Sequence, residues 1–536
     1  MLGLQKVLVE IPDDKGVYTK CAGVKNEKYV YKRILYYRNA EGAARNKSKM
    51  IGKYDVDSGK MYPNSNYFRI YNIDTLLPNI SVWEYGYTYL VEKISCDLGV
   101  LESLNQAFGE RKAKEIIAMA GYMIREGNAM DGIDDWQQRN YIHGLSYVLT
   151  SQTCSRTFEA LTYSQRYVFF KHWVEKAFKG GSVCYDVTSI SSYARQMSDV
   201  ERGYNRDGDN LCQFNIGMFC DENTKTPLYY SRYNGSLTDK TNLSYVLASA
   251  KDLGIERVKM IVDGGFWSEE CLKSLHQCAD AFTIGMPTFL KESEKILNAY
   301  SHSVETYANE LSYRHMYCVP VNVEIFGING RVLVYYDAMN HIKLCDDISE
   351  RIINLKAELG ALKRYPKNQL ERYSPYFKIT KHTHDTGFDY TIDVDKVENL
   401  RRNKGFFLLF STDMTSSPTD ILYYYRAKDA DEKLFAQIKT GMDCDRMRTH
   451  NEDTTDGKVF VTFIACIIRS HLLDKLSQII RDDSTSLKKV FNQLSNIIII
   501  SNKGEYRFTK ALTKKQKQIL ATFGSDCDIM ISLNKI

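Results

Sequence analysis

Val183-Cys-Tyr-Asp-Val-Thr188 and Val258-Lys-Met-Ile-Val-Asp-Gly-Gly265 are two short apolar runs that each carry one carboxylate, Asp186 and Asp263. The first reads as a strand and the second as a strand ended by a glycine turn. Between them, residues 211–219 and 227–233 read as two further strands joined by the turn-rich Asp221-Glu-Asn-Thr-Lys-Thr226. Leu243, Val246, Leu247, Ala250 and Leu253 then fall on one stripe of an amphipathic helix. A helix near residues 268–277 leads to a fifth strand at 281–286. A carboxylate inside an apolar strand is costly unless a cation or donors compensate it, so Asp186 asks for a partner. The plain alternative is an Asp bonded to neighbouring backbone or to Thr188. Asp263 stands where open α/β sheets place ligands, at the carboxyl end of a strand. Its plain alternative is a helix cap, a role for which Ser268 is better placed.

Three strands, then helix, strand, helix, strand is the order of a ribonuclease H-like sheet, in which the first and fourth strands are neighbours. On that topology Asp186 and Asp263 converge, and two converging acids need a divalent metal or a shared proton. A closing helix is due after residue 286, but roughly 120 residues of other material intervene. They hold a hairpin over residues 321–336, expected to pivot on Asn329-Gly330, and a helix near 347–362. A strand at 405–412 and a helix over 418–441 follow. The expected fold class is an α/β core with a ribonuclease H-like mixed sheet, flanked by helices and interrupted by a β-containing insertion, in a multidomain α+β chain. The expected divisions are a basic β-rich module at 1–80, a helical domain at 81–178, the core at 179–290 and 405–475, the insertion at 291–404, and a C-terminal segment at 476–536.

The chain has 536 residues, and at about 150 residues per domain that length accommodates three or four domains. With 44% hydrophobic and 26% charged residues, wholesale disorder is excluded. The 13 cysteines are scattered without a Cys-x-x-Cys pair, which reads as reduced thiols. No apolar run approaches the roughly 20 residues of a membrane span, and the first 30 residues have no signal-peptide stretch. A soluble, cytoplasmic protein is expected. The net charge of +5 is small, but residues 25–53 hold nine Lys/Arg against Glu27 and Glu41. A second basic stretch joins Lys503, Arg507, Lys510, Lys514, Lys515 and Lys517 against Glu505. Such clusters are usually solvated faces and sometimes phosphate-binding ones.

The helix over 418–441 adds a third acid. Seven residues advance about 700°, so positions seven apart lie within roughly 20° of one another. Tyr425, Glu432 and Lys439 then share a face, joined by Lys428 four residues before Glu432. A carboxylate between two ammoniums and a phenol suits phosphodiester chemistry. Lys–Glu pairs at this spacing are also common surface decoration.

These motifs resemble those of DDE transposases of bacterial insertion sequences, in the group with a Tyr-x2-Arg-x3-Glu-x6-Lys signature. Tyr185-Asp-Val-Thr-Ser189 looks like the first-Asp motif and Val262-Asp-Gly-Gly-Phe266 like the second. Tyr425, Lys428, Glu432 and Lys439 match the third at the family's spacing, with Lys428 where the family has Arg. The resemblance implies that Asp186, Asp263 and Glu432 hold two Mg²⁺ or Mn²⁺ ions. It implies metal-dependent cleavage at terminal inverted repeats, followed by strand transfer of 3′-OH ends into target DNA. Tyr425, Lys428 and Lys439 would grip phosphates, and Trp267 is a stacking candidate that is more often core. Lys47 and Lys49, in the basic N-terminal stretch, are the expected contacts to the DNA ends. The implied partners are double-stranded DNA and a second copy in the synaptic complex, with no membrane, at the nucleoid of a bacterial cytoplasm. The alternatives are a non-catalytic transposase-derived DNA-binding protein and a stand-alone ribonuclease H-like nuclease.

Overall fold

The computed structural model describes residues 8–22, 27–38, 42–71, 80–194, 197–203, 211–256, 258–383, 386–502, 505–525 and 528–532. Lys25, Glu41, Lys503 and Cys527 lie outside the described residues, as do the side chains of residues 429–432. The chain forms two compact units, Met1–Trp83 with Ile498–Ala511 and Ser532–Ile536, and Glu84–Ile497 with Leu512–Ile531.

In the first unit, strands Val17–Ala22, Glu27–Arg38, Ala44–Tyr54 and Met61–Pro63 form an antiparallel sheet in sequence order. Val30, Ile51, Met61 and Tyr67 make its core. The hairpin between the second and third strands outruns that core. Leu35, Tyr36 and Tyr37 are exposed, opposite Lys47, Asn46 and Arg45. Register shifts at Val30/Tyr31 and Arg33/Leu35 bend the pair between its buried and exposed halves. A second, smaller sheet orders Glu505–Phe508, Ile498–Asn502 and Ile80–Glu84.

The second unit is built on one mixed sheet. Its main strands are β1 (Ser182–Ser192), β2 (Gln213–Asp221), β3 (Pro227–Asn234), β4 (Lys259–Val262), β5 (Ala281–Met286), β6 (Met316–Ile325), β7 (Ile328–Asp337) and β8 (Phe406–Ser411), and the short strand Arg446–Met447 pairs in parallel with the end of β1. They lie side by side as β6-β7-β8-β5-β4-β1-β2-β3. Every residue of β1, β2 and β5 is buried, as in a sheet covered on both faces. Strands β1, β4 and β5 are mutually parallel, and β8 runs antiparallel to β5. Helix α1 (Asp239–Asp252), capped by Thr238, connects β3 to β4, and α2 (Glu269–Cys278), capped by Ser268, connects β4 to β5.

The hairpin read within residues 291–404 is β6–β7, and it pairs onto β8 as part of this sheet. Its turn is Phe326-Gly327, at φ 52° and 78°, with Asn329 and Gly330 in the strand beyond. Two positive φ values in a two-residue loop match the right-handed twist of the strands. Gly330 has another use. A Cβ there would stand 2.7 Å from the Phe410 ring, so the bare backbone lets β7 close on β8. The rest of the segment packs around Leu355, Leu359, Tyr373 and Phe377.

Helices Pro418–Ala427 (α3) and Asp429–Ala436 (α4) and the π-helical turn Gln437–Gly441 replace the single helix expected over 418–441. The 31-residue α5 (Glu452–Asp482) is buried from Val459 to Ile468. A Cβ at Gly457 would collide with the Phe158 carbonyl, so glycine sets how closely α5 approaches helix Ser151–Glu159. Among the described residues no helix is long and apolar enough to cross a membrane.

Candidate active site

Asp186 lies in mid-β1 and Asp263 one residue beyond β4. The register pairs Tyr185 with Val262, so both aspartates follow directly on neighbouring parallel strands and share a face of the sheet. Asp186 is 7% exposed, and its Oδ1 accepts the Val187 N–H at 2.8 Å. Asp263 opens the turn Gly264–Phe266, where its carbonyl accepts the Phe266 N–H at 3.1 Å. Gly264 packs against Gly285 of β5, and a Cβ there would meet the Gly285 carbonyl at 3.1 Å. The second glycine of the sequence motif therefore stays near the carboxylate, while the first keeps the turn against the sheet.

The third element arrives from the other side of the chain. Ser417 and Asp420 form a capping box at the start of α3, and Pro418 occupies the first turn. The Tyr425 hydroxyl reaches β5, where a Cβ at Gly285 would stand 2.6 Å from it. Lys428, in the turn between α3 and α4, places Nζ 2.9 Å from Asp263 Oδ1. Only 7% of the Lys428 side chain is exposed, against 48% for Asp263. Burial pulls the Lys428 ammonium down, but the charge and hydrogen bond of Asp263, then Asp186 and Tyr425, outweigh it and raise it above the ordinary lysine value. One buried ammonium thus serves two carboxylates.

The structure brings Asp186, Asp263, Tyr425 and Lys428 together. The Glu432 side chain lies outside the described residues; its backbone sits in α4, one turn after Lys428. Lys439 is half-buried in the π-helical turn Gln437–Gly441. Lys47 and Lys49 are exposed on the third strand of the first unit. Trp267 is 9% exposed, its ring edge-on to Phe410 at 6.1 Å.

Beside Asp263 opens a cavity of about 740 Å³, walled by Trp267, Met286, Leu408 and Tyr425 and by the exposed ring of Phe289. Lys240 also lines it, with Nζ 2.8 Å from the Trp267 carbonyl. Neither Lys240 nor Phe289 was singled out from sequence. Phe289, an aromatic in the Pro287-Thr-Phe turn directly after a buried strand, carried the readable signal.

Among the described residues no three His, Cys, Asp or Glu side chains group to hold a metal ion. The donors that are described nonetheless suit one. Two carboxylates converge, and the Lys428 ammonium stands in for a cation beside them.

The paired acids, with Lys428 of the third motif folded onto them, form one charged site at the carboxyl end of β4. The model of the transposase DDE domain matches residues 178–468, more than half of the chain, and the chain belongs to that family. It is a DNA transposase of the DDE class, whose members generally use divalent metal ions. No curated protein matches it. Among solved structures it is similar to a piggyBac transposase, in a cryo-EM synaptic complex with hairpin DNA. The TM-score is 0.36 and the identity 11%, over 80% of this chain and 75% of that one, a likeness too low to carry an argument.

Replacing Lys428 by Met leaves Asp263 and Asp186 without their ammonium, at an expected cost of about 1–3 kcal/mol, reduced by the exposure of Asp263. Because the folded-state value is raised above 10.5, the stabilisation is complete below pH about 10.5 and fades as pH rises through the folded value. Denaturant unfolding from pH 7 upward should give a constant difference between wild type and variant until that limb. A difference that vanishes by pH about 8 would contradict the pairing.

Proposed function

We propose that this transposase has a ribonuclease H-like core and cuts the terminal inverted repeats of an insertion sequence, then joins the 3′-OH ends to target DNA. The observation that carries the reading is the meeting of Asp186 and Asp263 on parallel neighbours β1 and β4, with Lys428 of the third motif on Asp263. The neighbour order β5-β4-β1-β2-β3 supports a ribonuclease H-like sheet. The Tyr425–Lys428–Glu432–Lys439 spacing supports the insertion-sequence group. Residues 179–290 and 405–475 are the core of this reading, residues 291–404 its insertion, and residues 1–80 the end-binding module.

Asp186, Asp263 and Glu432 would hold two Mg²⁺ or Mn²⁺ ions, which when bound supply Lewis acidity at the attacking and leaving oxygens. Lys428 fixes Asp263 Oδ1 through their ion pair at 2.9 Å. Tyr425, braced against Gly285, with Lys428 and Lys439, would grip the phosphates flanking the scissile bond. Water and then the freed 3′-OH are the nucleophiles, so no side chain need form a covalent bond to DNA.

In the first unit, Lys47 and Lys49 stand on the exposed hairpin arm with Leu35, Tyr36, Tyr37 and Met50. Arg33 lies 5.0 Å from the Tyr18 ring and donates to the Tyr36 hydroxyl at 2.7 Å. Cations interleaved with aromatics favour a nucleic-acid surface. Joining two ends calls for two copies of the chain in the synaptic complex. The site of action is the bacterial nucleoid.

The test is magnesium-dependent cleavage of duplex DNA bearing the element's ends. Asp186→Asn, Asp263→Asn and Glu432→Gln should each lose at least about 10²–10³-fold in rate while binding ends normally. Full activity in any one overturns its role. In the same binding assay, the double reversal Lys47→Glu, Lys49→Glu should weaken end binding and flatten the salt dependence by about two units of slope. Unchanged affinity would remove the hairpin from the interface.

A further inference from the structure

Lys458 lies in the first two turns of α5 and is 3% exposed. Among the described residues its ammonium has neither an ion-pair partner nor a hydrogen-bond acceptor. The groups around it cannot neutralise it. Cys154 and Cys444 both act on it, yet burial pushes each thiol up to about 12, so both stay neutral. Burial, and the like charge of Arg448, bring the Lys458 ammonium down to about 8, so it is still mostly charged at pH 7.

This ammonium faces a cavity of about 390 Å³ whose lining shares no residue with the one beside Asp263. Two helices begin at the cavity: α5, capped by Asn451, and Ser151–Glu159, capped by Thr150. The positive ends of both helix dipoles therefore meet the same space. Arg448 and His450 stand exposed at its mouth, and Ser151, Ser155 and Thr454 offer hydroxyls. Four acids lie near, of which Asp443 pairs with Arg448 Nη2 at 3.0 Å. Asp131 is on the wall, Asp453 is exposed in the first turn of α5, and Glu452 is taken by Ser198, whose N–H and hydroxyl donate to it at 3.0 and 2.6 Å.

A buried, unpaired ammonium, a second cation and two helix N-termini converging on one polar cavity call for an anion. We propose that this cavity binds a phosphate group, free or on a polynucleotide backbone, held by Lys458 Nζ, the Arg448 guanidinium and the first turns of the two helices. The inference is independent of the metal-centred reading of Asp186 and Asp263. An occupant of this kind gives Lys458 its missing partner and relieves its repulsion from Arg448.

The test is thermal melting and calorimetric titration of the full chain with inorganic phosphate, against chloride at matched ionic strength. Wild type should bind phosphate and melt higher with it. Lys458→Met, similar in shape but uncharged, should melt at or above wild type without phosphate and bind it at least about tenfold more weakly. Arg448→Gln, at an exposed position, should lose several-fold and keeps the test decisive if the buried variant does not fold. No phosphate response in wild type, or an undiminished one in Lys458→Met or, if that variant does not fold, in Arg448→Gln, overturns the proposal. A second arm uses duplex DNA of arbitrary sequence without element ends. If phosphate competes with the duplex and Lys458→Met weakens duplex binding, the natural occupant is a backbone phosphate; duplex affinity unchanged while the phosphate response is lost assigns the site to free phosphate.

Discussion

Two carboxylates on adjacent strands repel one another and resist burial, and the rest of the site is arranged around that problem. Asp186 is inside a sheet covered on both faces, and Asp263 closes a strand beside it. The Lys428 ammonium answers the charge. To reach it, Lys428 has to arrive on a helix that packs over β5, and β5 has to admit that helix closely. Gly285 does so by leaving room for the Tyr425 hydroxyl, and Gly264 by lying flat on Gly285. The capping box at Ser417 and Asp420 fixes where that helix starts. A site assembled from residues 186, 263 and 428 is thus held by backbone contacts at a few glycines rather than by a continuous segment.

Much of this was legible in the sequence because the strands are apolar and short. The runs at 183–188, 258–262 and 281–286 are each strands with mostly buried residues, and the two aspartates stand out because they are the only acids in or directly after them. The hairpin was legible as a hairpin but not its partner. Joining β6–β7 to β8 is a tertiary event across more than 60 residues, and no local pattern announces it. Its turn was misplaced because Asn329-Gly330 is the stronger turn dipeptide, whereas Phe326 adopts φ 52° that its own preference opposes.

The third motif failed differently. Residues 425–439 are mostly helix formers, so periodicity alone draws one straight helix. The turn at Lys428 is where the ion pair to Asp263 forms, and the π-helical turn follows at Gln437–Gly441. Both departures sit at the proposed functional face, as irregularities in helices often do. Lys458 was invisible for the opposite reason. It lies beside the apolar run of α5, where a lone lysine reads as the edge of a hydrophobic helix, and only the three-dimensional arrangement shows that no acid among the described residues reaches it. The two buried lysines form a contrast. Lys428 is paired and pushed up, while Lys458 is unpaired and brought down.

The central claim is that Asp186 and Asp263 form one acidic centre able to hold a hard cation. Its most direct measurement is Mn²⁺ binding to the full chain without DNA, followed by the loss of the free-ion electron paramagnetic resonance signal, for wild type and for the Asp186→Asn, Asp263→Asn double variant. Wild type should bind Mn²⁺ saturably and the double variant should not, with the fold preserved by circular dichroism. Equal Mn²⁺ binding by the two proteins would contradict it.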